Sequence, residues 1–255
     1  MNEKQINIDS LSVISLYLQL SVNGNDLGQA TGFVVQKNNK NYLITNWHVL
    51  SGLDTVTGKP LSSTGGFPDN IKIAHHVKNK LGMWKLINEP LKQNNNPLWL
   101  EHPASNDKNR VDIVALPLSN MDEDIAFYPM DLQLANTDMV AQPAMPVSVI
   151  GFPLGFTSAG AFPIWKTGHI ASDPDLNYQN KPAFLIDATT RSGMSGSPVV
   201  LRLSGGYNQK NGNIMMAMAG SQTLFLGVYS GRIHDDSEIG MVWRPNLIEE
   251  ILNAE

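Results

Sequence analysis

Cysteine is missing altogether from this 255-residue chain. That excludes a disulfide framework and any thiolate metal site, and leaves packing and hydrogen bonding to hold the fold. Long runs of one charge sign are missing too. The formal charge of -5 arises from 23 acidic and 18 basic residues scattered along the chain, and no Lys/Arg-rich stripe offers a footprint for nucleic acid. No apolar run reaches membrane-spanning length. The amino end does not resemble a secretory leader: Lys4 is flanked by Glu3 and Asp9, and Leu11 to Leu20 is broken by Ser and Gln before Asn23-Gly24-Asn25-Asp26, the pattern of a strand and turn. These absences lead to the expectation of a cytoplasmic protein with neither nucleic acid nor membrane as partner.

What is present is a chain with 42% hydrophobic residues, enough for one large cored domain or two small ones. Short apolar runs punctuated by Gly, Asn, Asp and Pro set an all-β rhythm, as in Gly32 to Val35, Asn41 to Thr45, Val111 to Leu116, Val147 to Gly151, Ala183 to Ala188, Pro198 to Leu203 and Leu224 to Ser230. Only Pro245 to Asn253 has helical spacing, with Leu247, Ile248, Ile251 and Leu252 on one face. Residues 59–109 are Asn-rich and weakly patterned, which predicts strands separated by surface loops. The acid-, Met- and Pro-bearing stretch 119–146 reads largely as a connection between two halves. The expected organisation is therefore a first unit over 1–121, a connection over 122–142 and a second unit with a terminal helix over 143–255. Gly205-Gly206 and Asn211-Gly212 suggest a hairpin before Met215-Met216-Ala217-Met218, a cluster read as core filling in preference to a groove lining.

The chemistry is concentrated in three segments. In Arg191-Ser192-Gly193-Met194-Ser195-Gly196-Ser197-Pro198, glycines bracket a serine ahead of an apolar strand. Serine is a weak nucleophile that needs an adjacent base, and the oxyanion formed on its attack needs preorganised donors; a tight glycine turn suits both. Tyr42 to Leu50 is an apolar strand ending in His48. Val111-Asp112-Ile113-Val114-Ala115-Leu116 holds an acid among aliphatic neighbours, a costly position unless the carboxylate is paired, for example with an imidazole N–H. The lipase-type Gly-x-Ser-x-Gly elbow is not matched, because Ser197 holds its last position.

Taken in order, Thr45-Asn46-Trp47-His48-Val49, Asp112-Ile113-Val114-Ala115-Leu116 and Gly193-Met194-Ser195-Gly196-Ser197-Pro198 resemble the three motifs of the trypsin-like serine peptidases, especially their disulfide-free bacterial branch. Thr31-Gly32-Phe33-Val34-Val35 is similar to the strand before the histidine, and Gly240 to Arg244 before a helix to that family's carboxyl end. The resemblance implies two perpendicular six-stranded antiparallel β-barrels with a C-terminal helix. It also implies a cleft in which Ser195 attacks, His48 is the general base, Asp112 orients it, and the amides of Gly193 and Ser195 form the oxyanion hole. Serine endopeptidase activity through an acyl-enzyme follows, with a protein or peptide substrate, no cofactor and, in a cell, a regulatory partner. A catalytically silent two-barrel binding module and a latent protease awaiting such a partner are the alternatives.

Two departures from the family's digestive members bear on regulation and specificity. Met194 stands where those enzymes have an aspartate that receives a new amino terminus, so activation by trimming is not expected. Thr189 stands at the pocket base six residues before the serine, so cleavage after Lys or Arg is not expected either. Thr190, Ser230, Gly231, Arg232 and Gly240 complete the pocket that the resemblance implies, and a small, polar or acidic side chain would suit it. No metal site is expected, since His75 and His76 are adjacent and point to opposite faces of a strand, while His102, His169 and His234 are isolated. Arg191 reads as a solvated loop charge and Trp47 as packing.

Overall fold

The computed structural model describes residues 7–106, 109–120 and 122–255, with backbone alone at 217–219; Glu3 and Lys4 lie outside it. A short 3-10 turn leads into β1 (Ser15–Val22), which pairs antiparallel with both β2 (Asn25–Lys37) and β4 (Asn70–Val77). Then β2 pairs β3 (Lys40–Thr45), and β3 runs into the single-turn helix α1 (Trp47–Ser51). Beyond α1, β4 folds back on β5 (Lys80–Pro90), so the weakly patterned 59–109 interval holds a long hairpin. Also within it are the two-residue strands β6 (Lys92–Gln93) and β7 (Asn96–Pro97), paired with each other, and β8 (Leu100–Glu101). With β9 (Val114–Pro117) and β10 (Ile125–Ala126), the first unit is an eight-stranded sheet in the order β10-β4-β1-β2-β3-β9-β8, β5 joining at β4.

The second unit is a closed six-stranded barrel. Its strands are β11 (Pro146–Gly151), β12 (Ile164–Ile170), β13 (Ala183–Asp187), β14 (Pro198–Asn208), β15 (Ile214–Arg232) and β16 (Ile239–Trp243), in the order β11-β12-β13-β16-β15-β14. The all-β fold class follows from these two sheets. Between them, the connection donates β10 to the first sheet, and Glu89, itself buried, anchors its start by accepting from Ser119 N, Ser119 Oγ and Asn120 N at 3.1, 2.7 and 2.8 Å.

One apolar cluster joins the units. Phe33, Val35 and Ile44 of the first sheet meet Ile150, Val200, Phe225 and Trp243 of the barrel, with Phe33 and Phe225 edge to face at 5.8 Å. Helix α2 (Asn246–Asn253) closes this cluster with Leu247, Ile248, Ile251 and Leu252, burials worth roughly 1.5–3 kcal/mol apiece as upper estimates. Its end is tied to the first sheet by Lys37 Nζ on Leu252 O at 2.6 Å and by Tyr42 on Glu255.

Two readings change. Asp112 lies not in a strand but in the stretch just before β9, because its backbone and side chain are both engaged with the α1 corner. Within the Met cluster, Met215 and Met216 are not core but exposed on the β14–β15 hairpin, because apolar character alone does not bring a second layer over them. Ala217 and Met218 lie outside the described side chains.

Candidate active site

Each functional side chain is placed by a local device. After β3, Asn46 stays extended and the chain turns into α1, so His48 sits on its first turn; Gly52, left-handed at φ 72°, closes the helix by donating to His48 O at 3.0 Å. Asn46 Nδ2 donates to Asp112 O at 2.7 Å, pinning the Asp112 backbone to that corner. The Asp112 carboxylate, 1% exposed, then accepts from His48 N through Oδ1 at 2.9 Å, faces His48 Nδ1 through Oδ2 at 2.7 Å, and accepts from Ser230 Oγ at 2.5 Å. Three donors offset the desolvation of one buried carboxylate.

Burial pushes the His48 imidazole down, but the charge and hydrogen bond of Asp112, aided by Asp54, outweigh it and hold the pKa above the ordinary histidine value. With Nδ1 turned to a carboxylate, the other ring nitrogen is left to face the cleft as an acceptor when the ring is neutral.

The serine turn is drawn tight. Met194 N bonds Arg191 O at 3.2 Å and Ser197 N bonds Met194 O at 3.0 Å, with Gly193 and Gly196 at φ 93° and 85°. A methyl at Gly196 would overlap Thr31 O and Thr45 Oγ1, so only glycine fits there. Thr31, fully buried in β2, carries the turn across the boundary between units: its N donates to Ser195 O at 2.9 Å, its Oγ1 donates to Gly193 O at 2.8 Å, and that same Oγ1 accepts from Phe152 N at 3.1 Å. Ser195 Oγ donates to Ser230 O at 3.1 Å, and among the described residues no hydrogen bond joins it to His48.

His48, Asp112, Gly193 and Ser195 thus converge on one open cleft of about 700 Å³. The family model of the trypsin-like peptidase domain matches residues 30–205, a span that contains all four. The chain belongs to this family.

Solved structures agree on the fold of this peptidase. The Rv3671c protein of Mycobacterium tuberculosis, in an inactive form carrying a serine-to-alanine substitution, is 18% identical with a TM-score of 0.51, covering 96% of this chain and 87% of its own. A serine endoprotease of Yersinia pestis is 12% identical with a TM-score of 0.54, covering 98% and 67%. The thermostable serine protease AL20 of an extremophilic microorganism is 14% identical with a TM-score of 0.52, covering 96% and 98%. No curated protein sequence matches.

Of the residues nominated for the peptidase's specificity pocket, Thr190, Ser230, Gly231 and Arg232 line the cleft. Thr189 is exposed outside it and Gly240 is buried behind it. Arg191, beside the turn, bonds Thr190 O at 2.7 Å and Glu238 at 3.1 Å. Trp47 packs in the first core and donates to Glu101 at 2.9 Å. His169 is exposed on β12, and His102 faces Glu250 of α2 at 2.8 Å. Sequence reasoning missed three contributors. Asn46 was visible within the Thr-Asn-x-His motif, and Thr31 stood in the quoted Thr-Gly-Phe strand, but their partners are 66 and 162 residues away. Tyr229 carried no signal apart from preceding Ser230.

Proposed function

We propose that the chain is a serine endopeptidase in which Ser195 attacks the carbonyl carbon of a peptide bond, His48 takes the serine proton, and Asp112 fixes the imidazole tautomer and stabilises the imidazolium. The amides of Gly193 and Ser195, at a turn whose carbonyls are held back by Thr31, would receive the tetrahedral oxyanion. Collapse expels the amine, which leaves with the proton held by His48. Water, activated by the same histidine, then hydrolyses the acyl-Ser195 ester. The observation that carries this reading is the Asp112 carboxylate with His48 on both of its oxygens. A protein or peptide is the substrate, and a cysteine-free chain suits the reducing cytoplasm.

A latent resting state is favoured by one observation, the Ser195 hydroxyl bonded to Ser230 O. Attack requires that bond to be exchanged for one to His48, an adjustment that bound substrate or a regulatory partner would drive. Catalytic hydrogen bonds often tighten only in the substrate complex.

A fluorophosphonate probe tests the reading. The native protein should be labelled at Ser195, with labelling abolished in Ser195→Ala and in heat-denatured protein. Digestion of an unfolded protein should yield internal fragments by mass spectrometry. Absence of labelling, or equal labelling of Ser195→Ala, overturns it.

A further inference from the structure

The cleft that holds Ser195 is lined in part by a large aromatic side chain, Tyr229. Tyr229 precedes Ser230 on β15, is 2% exposed, and contributes to the cleft lining while packing with Met194 and Val242 in the barrel core. Its hydroxyl is hydrogen-bonded to Thr190 Oγ1. Its ring covers Gly240 on the neighbouring β16, where an added Cβ would lie 2.9 Å from Oη and 3.1 Å from Cζ. Thr190 and Gly240 are two walls of the pocket that the sequence led one to expect, and the phenol bridges them.

The ring is fixed as well as placed. Tyr229 N donates to Ser197 O and Tyr229 O accepts from Gly196 N, each at 2.9 Å, so the backbone carrying the phenol is bonded to the turn carrying the nucleophile. Burial pushes the phenol up to about 12, so the pocket floor offers no charge to a Lys, Arg, Asp or Glu side chain at neutral pH. The guanidinium of Arg232 sits at the rim and is engaged by Asp235 O at 2.6 Å.

We propose that Tyr229 is the specificity-determining residue of this cleft: its ring fills the pocket for the residue on the acyl side of the scissile bond and restricts that residue to Gly, Ala or Ser. The assignment rests on the serine-peptidase reading. Chemically, the substrates are segments that present a small side chain followed by the cleaved bond, and aromatic, long aliphatic and basic side chains are excluded by volume.

The test uses the full-length chain and peptidyl diphenyl phosphonates that differ only in the side chain next to phosphorus, namely Ala, Phe, Lys or Asp, with an unselective fluorophosphonate run in parallel. The Ala reagent should modify Ser195 about tenfold faster, or more, than the other three, the scale set by misfit in an apolar pocket. Tyr229→Ala, which opens a ring-sized space, should bring the Phe reagent to at least the Ala rate. Tyr229→Phe keeps the ring and loses only the bond to Thr190, so the Ala preference should persist. If Tyr229→Ala fails to fold, the wild-type profile and Tyr229→Phe still decide. Wild-type labelling led by Phe or Lys sinks the pocket assignment while the fluorophosphonate result leaves the peptidase standing; labelling led by Asp does the same and transfers selection to Arg232. Failure of the fluorophosphonate itself sinks the peptidase chemistry and the pocket assignment together.

Discussion

Asp112 grips His48 at two points, accepting the His48 backbone N–H at Oδ1 (2.9 Å) and facing ring Nδ1 at Oδ2 (2.7 Å). The first contact locates the residue on α1 and the second selects which ring nitrogen carries the proton, so position and tautomer are set by one buried group. Asp112→Asn keeps the volume and presents an amide N–H or a weaker acceptor to Nδ1. Turnover of a peptide ester should fall by roughly 10⁴-fold with the far-ultraviolet circular dichroism unchanged. Turnover within tenfold of wild type would remove Asp112 from the mechanism.

The pH dependence follows from the same contact. In the proposed mechanism only neutral His48 can accept the serine proton, and Asp112 holds its pKa above the ordinary histidine value of 6.5. Activity should therefore rise with pH, with the midpoint in kcat/KM displaced above 6.5 and returned toward or below it in Asp112→Asn, where burial is opposed by Asp54 but no longer by Asp112. A profile flat from pH 5 to 9 would point to a different base.

Thr31 links the units through the serine turn. Thr31→Val preserves the shape of the β2 side chain but leaves Gly193 O and Phe152 N without their partner, costing about 1–3 kcal/mol for unsatisfied buried groups. Loss of the anchor on Gly193 should lower kcat more than it raises KM, and Thr31→Ser should recover most of both. Equal activity in Thr31→Val and wild type would show that the turn is held by its backbone bonds alone.

Gly193 stands at φ 93° with Phe152 O directly over the site a side chain would take. Gly193→Ala should displace the peptide whose N–H is assigned to the oxyanion and reduce kcat by about 100-fold to 1000-fold, the scale for one lost donor. Stopped-flow acylation by an activated ester would locate the loss in the chemical step. Unimpaired acylation would take Gly193 out of the oxyanion site.

His75 and His76 give the protein an acid-labile spot remote from the cleft. Burial pushes both down to about 4, His75 further discouraged by the charge its neighbour would carry, and His76 partly supported by its contact with Val13 O. Among the described residues neither buried Nδ1 has a hydrogen-bond partner. In the unfolded chain both titrate near the ordinary value of 6.5, so between about pH 6.5 and 4 the unfolded state binds more protons, and stability falls as pH falls. The loss should be on the order of 3 kcal/mol for each ring, and up to about 6 kcal/mol for the two together. His48 acts with the opposite sign: the folded state binds its proton more tightly, so its contribution is present below 6.5 and fades as pH rises through its raised pKa. Urea midpoints at pH 7, 5.5 and 4 should show the decline, and His75→Phe, beside Phe127, should flatten it.

The residues that could be read from sequence were those whose neighbours along the chain announce them. The glycine turn around Ser195 displays its own strain, the α2 face repeats at helical spacing, and β-strands such as Asn41 to Thr45 are apolar runs between turn residues. Asp112 was legible as an acid out of place, but not its location before β9, because the bonds drawing it to Asn46 and His48 are made by residues 64 and 66 positions away. Met215 and Met216 misled for a related reason: apolar character in a strand says nothing about whether a second layer exists to cover it.

The order His48, Asp112, Ser195, the all-β pattern and the absence of cysteine belong to the sequence itself, since each is a matter of residue type and local spacing. How Tyr229 packs between Thr190 and Gly240, which oxygen holds Ser195, and how Thr31 ties one sheet to the other were decided only when the chain closed on itself. Hydrogen bonds and excluded volume act at a few ångströms, and the partners that supply them here are separated by scores of residues along the chain.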